Sequence, residues 1–239
     1  MIRKIWLLFK WLLAALLGIV VVWHFYIFAH LLLWKWQPPA SSSFMRQQEV
    51  ILRTENPDAF IRYQWVDYEQ ISVNLKSAVI ASEDAKFSDH GGFDWESLEK
   101  AIEKHQKNPN AKRVAGGSTI SQQLAKNLFL SPDRSYLRKA EEAIITFMIE
   151  ALWPKERILE VYLNVAEWGI GVFGAEAASQ YYFNKPASKL TRYQAARLAA
   201  MLPRPRYYDK NRNSGALSRK TNIILRRMRA AKLPMSAEE

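Results

Sequence analysis

The sequence predicts a mainly α-helical protein attached to one N-terminal transmembrane helix. Three observations carry this. Trp11 to Trp34 contains no Asp, Glu, Lys or Arg. Beyond Ile71, apolar side chains recur three and four apart in successive segments, the period of a half-buried helix. No run of alternating strands is visible, nor any repeat of roughly 20–50 residues.

The chain of 239 residues has 34 Lys and Arg against 23 Asp and Glu, a formal charge of +11. Such a surplus suits a polyanionic partner: nucleic acid, phosphate or an anionic bilayer. There are no cysteines, which excludes disulfides, thiolate metal sites and a cysteine nucleophile. Of the four histidines, His24 and His30 lie in the apolar run, leaving His90 and His105. A histidine-rich zinc site cannot be built from that. Catalysis has to rest on carboxylates, lysine, arginine and hydroxyls.

Residues 11–34 would reach about 36 Å as a helix, enough to span a bilayer core with tilt. Trp6, Trp11, Trp34 and Trp36 sit near its ends, where an interfacial belt forms. A cleaved signal peptide is the competing reading, but its apolar core would be shorter and a small-x-small site should follow. Arg3, Lys4 and Lys10 precede the span and Lys35 directly follows it, so residues 1–10 are expected in the cytoplasm and the rest outside the inner membrane. That orientation argues against nucleic acid as the partner. Residues 35–43, rich in Pro and Ser, read as a linker, and 44–239 as one domain outside the membrane. Within it, residues 44–69 are expected to be irregular or short-stranded.

Ile71, Leu75, Ala78 and Val79 mark the first helix of that domain. Asp94 can cap a helix running to about Lys104. Residues 107–115 are mostly polar and read as a loop. Ser118 or Thr119 opens the next helix, to about Leu128. Ser131-Pro132-Asp133 reads as a cap, a first-turn proline and a first-turn acid. The helix it predicts carries Ala140, Ala143, Ile144, Phe147, Met148 and Ala151 and stops before Pro154. Further helices are expected at 155–164, 173–183, 191–201 and 215–231.

Four segments carry chemistry. Glu83-Asp84-Ala85-Lys86-Phe87-Ser88-Asp89-His90-Gly91-Gly92 puts a carboxylate after an apolar turn and before a glycine turn. A partly buried carboxylate has a raised pKa and can act as a base near neutrality. His90 reads as a structural hydrogen-bonding residue of that turn. Gly116-Gly117-Ser118-Thr119-Ile120-Ser121-Gln122-Gln123-Leu124-Ala125-Lys126-Asn127 offers free amides at a helix start, suited to an anion or sugar oxygens. Gln122 and Lys126 follow one turn apart. Arg134, Arg138 and Glu142 form a stripe with a four-residue period. Lys155 opens a fourth segment, Lys155-Glu156-Arg157-Ile158-Leu159-Glu160-Val161-Tyr162-Leu163-Asn164.

In order and spacing, these segments, with Leu198-Ala199-Ala200-Met201-Leu202-Pro203, resemble the five motifs of the peptidoglycan glycosyltransferases, family 51, over residues 70–206. The nearest type is the monofunctional biosynthetic transglycosylase. Ser97-Leu98-Glu99-Lys100 imitates a penicillin-binding motif by chance, with no Lys-Thr-Gly to accompany it. The resemblance implies a lysozyme-like, two-lobed fold. It implies lipid II and the growing glycan strand as ligands, Glu83 as general base and Glu142 as second essential carboxylate. Of the adjacent Glu141 and Glu142, alignment on Arg138-Lys139 selects Glu142. It further implies pyrophosphate or substrate contacts from Lys126, Arg134, Arg138, Gln122, Gln123, Ser118, Thr119 and Lys155. No cofactor is expected, though a divalent metal could sit at the pyrophosphate, with its ligands unassigned. The inner membrane and other cell-wall synthesis or division proteins are the expected further partners. A lytic muramidase would need no cation stripe beside its second carboxylate, and a glycan-binding scaffold would not need Glu83 and Glu142 together.

Overall fold

The computed structural model describes residues 2–107, 117–133 and 135–234. It falls into two compact units, Met1–Gln37 and Pro38–Glu239. The first is helix α1, Ile2–Trp34. It begins well before Trp11 because the Arg and Lys residues at its start are good helix formers. Arg3–Trp34 is long and apolar enough to cross a membrane. Its histidines donate to the helix backbone, His24 Nδ1 to the Val20 carbonyl at 2.8 Å and His30 Nδ1 to that of Tyr26 at 2.9 Å. One polar atom of each ring is thereby satisfied inside the helix, as an apolar surrounding demands.

The second unit opens with a helix where an irregular segment was expected. In α2, Ser43–Glu55, the Ser42 hydroxyl accepts from the Met45 amide at 3.2 Å. Phe44, Met45, Gln48 and Leu52 recur at helical spacing, but the stripe runs through a polar residue. Gln48 is 4% exposed, so its burial, which no apolar count registers, completes the inner face. The connecting segment therefore ends at Ser42. Strand β1, Arg62–Tyr63, follows.

Helix α3, Val73–Glu83, is capped by Ser72. Helix α4, Trp95–Lys107, starts as expected at Asp94, whose Oδ1 accepts from the Ser97 amide at 2.9 Å. The loop expected at 107–115 lies, apart from Lys107, outside the described residues. Helix α5, Ile120–Phe129, is capped by Thr119. Helix α6, Tyr136–Leu152, starts later than expected. Ser135 caps it by accepting from the Arg138 amide at 3.1 Å, while Ser131 donates to Asp133. Helices α7, Lys155–Val165, α8, Ala175–Phe183, and α9, Arg192–Met201, lie close to the expected ranges. A short α10, Pro205–Lys210, was not expected; Pro205 sits at its first position. Helix α11, Gly215–Arg227, hands over to a 3-10 turn at Met228–Ala230.

Strand β1 falls in the stretch read as irregular or short-stranded, but the sheet that it joins was not expected. Strand β3, Val172–Phe173, lies between β1 and β2, Glu167–Gly169. It pairs parallel to β1 (Arg62 with Val172) and antiparallel, with an irregularity, to β2. Two- and three-residue strands leave no alternation to read.

Helix α3 packs on α9 and α11, while α5 packs on α6, α7 and α2. These two groups meet where α3 ends. Residues 158–165 of α7 are all buried, so this helix is the internal post of the unit. Its Asn164 side chain accepts from the Val66 amide at 3.0 Å and donates to the Val66 and Glu160 carbonyls, each at 2.9 Å. Gly174 has φ +86, and a Cβ there would lie 2.7 Å from the Asn164 carbonyl oxygen. Only glycine fits.

Candidate active site

Glu83 is the last residue of α3, half-buried at the meeting of the two helix groups. Its Oε1 accepts from the Ser82 hydroxyl at 2.9 Å and its Oε2 from Gln123 Nε2 at 3.2 Å. Gln123 Oε1 in turn accepts from the Tyr162 hydroxyl at 3.0 Å. Both polar atoms of the Gln123 amide are therefore engaged, and Gln123 supports Glu83 instead of standing open as a ligand. From α11, the half-buried Lys220 also faces Glu83. Burial pulls its ammonium below the usual lysine range, and the Glu83 charge works against that.

Asp84 ties the first motif to the second. Its Oδ2 accepts from the Ile120 amide at 3.0 Å and its Oδ1 from His90 Nε2 at 2.9 Å. The Gly92 amide donates to His90 Nδ1 at 3.2 Å. His90 thus links Asp84 to the backbone of the turn, the structural hydrogen-bonding role read from the sequence. Gly92 itself has φ +90, and a Cβ there would come within 2.9 Å of Thr146 and Glu150.

Three of the amides expected to be free at the start of α5 are already used. Thr119 Oγ1 accepts from the Gln122 amide, Gln122 Oε1 accepts from the Thr119 amide, and Asp84 takes Ile120. Thr119 also donates to the Gly92 carbonyl at 2.7 Å. This capping box uses the groups assigned to the anion. Thr119 and Gln122, 3% and 6% exposed, set the shape of the site.

On α6, Glu142 is buried, and both its oxygens are paired. Arg138 Nη1 lies 2.7 Å from one, and Lys139 holds the other. Lys139 Nζ is also 3.5 Å from the Ser118 hydroxyl. Two cations share one carboxylate here, so the cluster keeps a positive charge. Arg138 Nε is buried with no acceptor among the described residues. Lys139 was missed as a site residue, although its i,i+3 offset from Glu142 matches the i,i+4 offset of Arg138. Arg134 lies outside the described residues.

Lys126 is one turn beyond Gln122, its ammonium 5.3 Å from the Phe44 ring centre. Lys155 is not brought to this cluster. It pairs with Glu150 at 2.8 Å, lies 4.6 Å over the Phe87 ring, and shares Glu150 with Ser121. Glu150 is two turns further along α6, about 12 Å from Glu142. The sequence placed Lys155 at a helix start near the motifs but could not reveal that partner.

Two cavities join these parts. One of about 150 Å³ is walled by Glu83, Lys86, Ser97 and Thr119 among others. One of about 620 Å³ is walled by Trp95, Leu98, Ile102, Gln122 and Lys139 among others. Both include Asp94, Gly117 and Ser118. The base candidate and, through Lys139, the cation cluster thus open on neighbouring cavities with common walls.

A family model described as Transglycosylase matches residues 49–229. The chain belongs to the transglycosylase family. As a member it has the lysozyme-like glycosyltransferase fold, and it is an enzyme. A protein of Dechloromonas aromatica (strain RCB), named biosynthetic peptidoglycan transglycosylase, is 58% identical over 225 residues, covering 94% of this chain and 96% of that one. Proteins of the same name from Laribacter hongkongensis (strain HLHK9) and Chromobacterium violaceum are 56% and 55% identical. They cover 94% and 95% of this chain and 99% of their own.

Proposed function

We propose that this transglycosylase polymerises lipid II into β-1,4-linked glycan strands of peptidoglycan, releasing undecaprenyl pyrophosphate with inversion. The name shared by the relatives supports the product. The observation that carries the chemistry is the pairing of a held, half-buried carboxylate with a net-positive cluster on adjoining cavities. Glu83 takes the proton from the acceptor GlcNAc 4-hydroxyl, and that oxygen attacks the anomeric carbon of the donor MurNAc. The C1–O bond to pyrophosphate breaks, and the leaving group departs as an anion that needs no acid. Preformed cations stabilise it: Arg138, Lys139 and Lys126, with Arg134 assigned by resemblance. A phosphate oxygen would also satisfy the buried Arg138 Nε. Glu142 holds two of these cations in place. A hydrolase would instead use its second carboxylate with water.

A divalent ion at the pyrophosphate would draw mainly on the substrate's own oxygens, with one or two protein carboxylates. Among the described residues no group of three or more His, Asp or Glu side chains converges, and both Glu142 oxygens are already paired. No step above is routed through one, and none calls for a cofactor. The test is incubation with labelled lipid II and sizing of the products before and after muramidase. Long products that muramidase degrades are expected. Their absence, or degradation of preformed glycan, refutes the reading.

Lys126→Ala is expected to weaken the donor and its transition state by roughly 1.5–3 kcal/mol, the worth of one charge-assisted contact. Steady-state kcat/KM with lipid II measures this, and an unchanged value removes Lys126 from the phosphate site. The basic residues before Trp11 support an inner-membrane anchor with the catalytic unit in the periplasm. A reporter enzyme active only in the periplasm, joined after Glu239, should be active; silence there with cytoplasmic activity reverses the orientation.

A further inference from the structure

Tyr162 is fully interior at 1% exposure, on a helix whose neighbouring side chains are apolar or structural. A buried phenol needs a partner, and Tyr162 donates to Gln123 Oε1 at 3.0 Å. That bond fixes which way the Gln123 amide faces. Its Nε2 must then point at Glu83 Oε2, where the distance is 3.2 Å. The reverse orientation would set Oε1 against a carboxylate and waste the phenol proton. Burial, reinforced by the charges of Glu83 and Asp84, pushes the Tyr162 phenol well above its ordinary range. It therefore remains a donor at every pH at which the enzyme works.

The other carboxylate oxygen is held differently. Ser82 Oγ lies 2.9 Å from Glu83 Oε1 but also 3.3 Å from the Ala199 carbonyl. Its single proton has two acceptors. When Glu83 is ionised, Ser82 donates to Oε1. When Glu83 is protonated, Ser82 can turn to Ala199 and leave Oε1 to the new proton. Oε2 has no such freedom.

We propose that Tyr162 and Gln123 are positioning residues of the glycosyl transfer, locking Glu83 Oε2 so that Oε1 receives the acceptor proton. The proposal rests on the reading of Glu83 as general base. In the step, the acceptor O–H bond breaks, the Glu83 Oε1–H bond forms, and the Ser82 proton swings to the Ala199 carbonyl. Glu83 ends neutral and later returns its proton to solvent. A hydrogen bond to the charged form of a carboxyl favours that form, and loosening Gln123 weakens one such bond to Glu83. A base acts only when deprotonated, so the acidic limb of activity then moves to higher pH. Among the described residues, the titratable groups facing Glu83 are Asp84 beside it, Tyr162 from α7 and Lys220 from α11, with Lys86 and Asp94 across the shared cavity and His90 behind Asp84.

The test uses the full chain in detergent with labelled lipid II. Tyr162→Phe removes one oxygen and leaves Asp84, His90 and Lys220 in place. It is expected to lower kcat about tenfold, a fraction of a general base's worth, with KM unchanged and the acidic limb of the kcat profile moved to higher pH. A folded Tyr162→Phe with an unmoved acidic limb overturns the proposal, whether kcat falls or not, because a merely structural role does not move the limb. If circular dichroism shows that this variant does not fold, Gln123→Glu carries the test. It keeps the shape but sets a second carboxylate against Glu83, and the limb should move further in the same direction; no movement overturns the proposal. Glu83→Gln separates the two readings. If it retains turnover, the base assignment falls and takes this proposal with it. If it is inactive while the limb of Tyr162→Phe is unmoved, the positioning role alone falls.

Discussion

Glu83→Gln is expected to abolish glycan polymerisation while lipid II binding and the fold persist. The loss should be on the order of 10²–10⁴-fold in kcat, the usual worth of a general base. The fold persists because the site can accommodate an amide. Gln123 Nε2 needs an acceptor, so the new amide turns its oxygen toward it and its NH2 toward Ser82. Ser82 can accept that hydrogen and direct its own proton to the Ala199 carbonyl, 3.3 Å away. No buried donor is left unpaired, so the melting temperature should stay near that of the parent. Single-turnover rates with labelled lipid II, set beside a binding measurement on the same variant, distinguish the two effects. Near-normal turnover removes Glu83 from the mechanism.

What the sequence made legible follows from the range of each signal. Helices with an apolar stripe and a serine, threonine or aspartate before them were readable because both signals are local; α4 behind Asp94 and α5 behind Thr119 are examples. Helix α2 was not, because its stripe includes Gln48, whose burial depends on contacts distant in sequence. The strands were too short for alternation to show. Glu83 and Glu142 could be named from motifs. The roles of their neighbours could not. Gln122, Gln123 and Thr119 look like ligand groups when written out, but Gln123 is held between Tyr162 and Glu83, and Thr119 and Gln122 Oε1 close a capping box. Lys155 looks like a spare cation until Glu150 is folded against it. In each case the residue type was legible, but a partner some 3 to 40 positions away decided what it does.

Asp84 has the largest expected effect on stability, and the reason is its position between motifs. Its side chain is buried, and each oxygen takes one buried donor, the Ile120 amide and His90 Nε2. Hydrogen bonds to a charged group are worth roughly 1.5–3 kcal/mol each, and an orphaned buried donor costs about as much. Asp84→Ala is therefore expected to destabilise the unit by about 3 kcal/mol, lowering its melting temperature by roughly 6–12 °C at the scale for a unit of this size. The first turn of α5 would lose its anchor, so activity should fall with stability. Asp84→Asn should cost less, about 1 kcal/mol. Its oxygen can still serve Ile120, while its NH2 faces His90. The imidazole can accept there by moving its proton to Nδ1, but that proton then opposes the Gly92 amide, now 3.2 Å from Nδ1. One hydrogen bond is lost where alanine loses two. Thermal unfolding of the detergent-solubilised chain, followed by tryptophan fluorescence, should rank the parent above Asn and Asn above Ala. Equal melting temperatures for all three would mean that the link between the two motifs does not hold the site together.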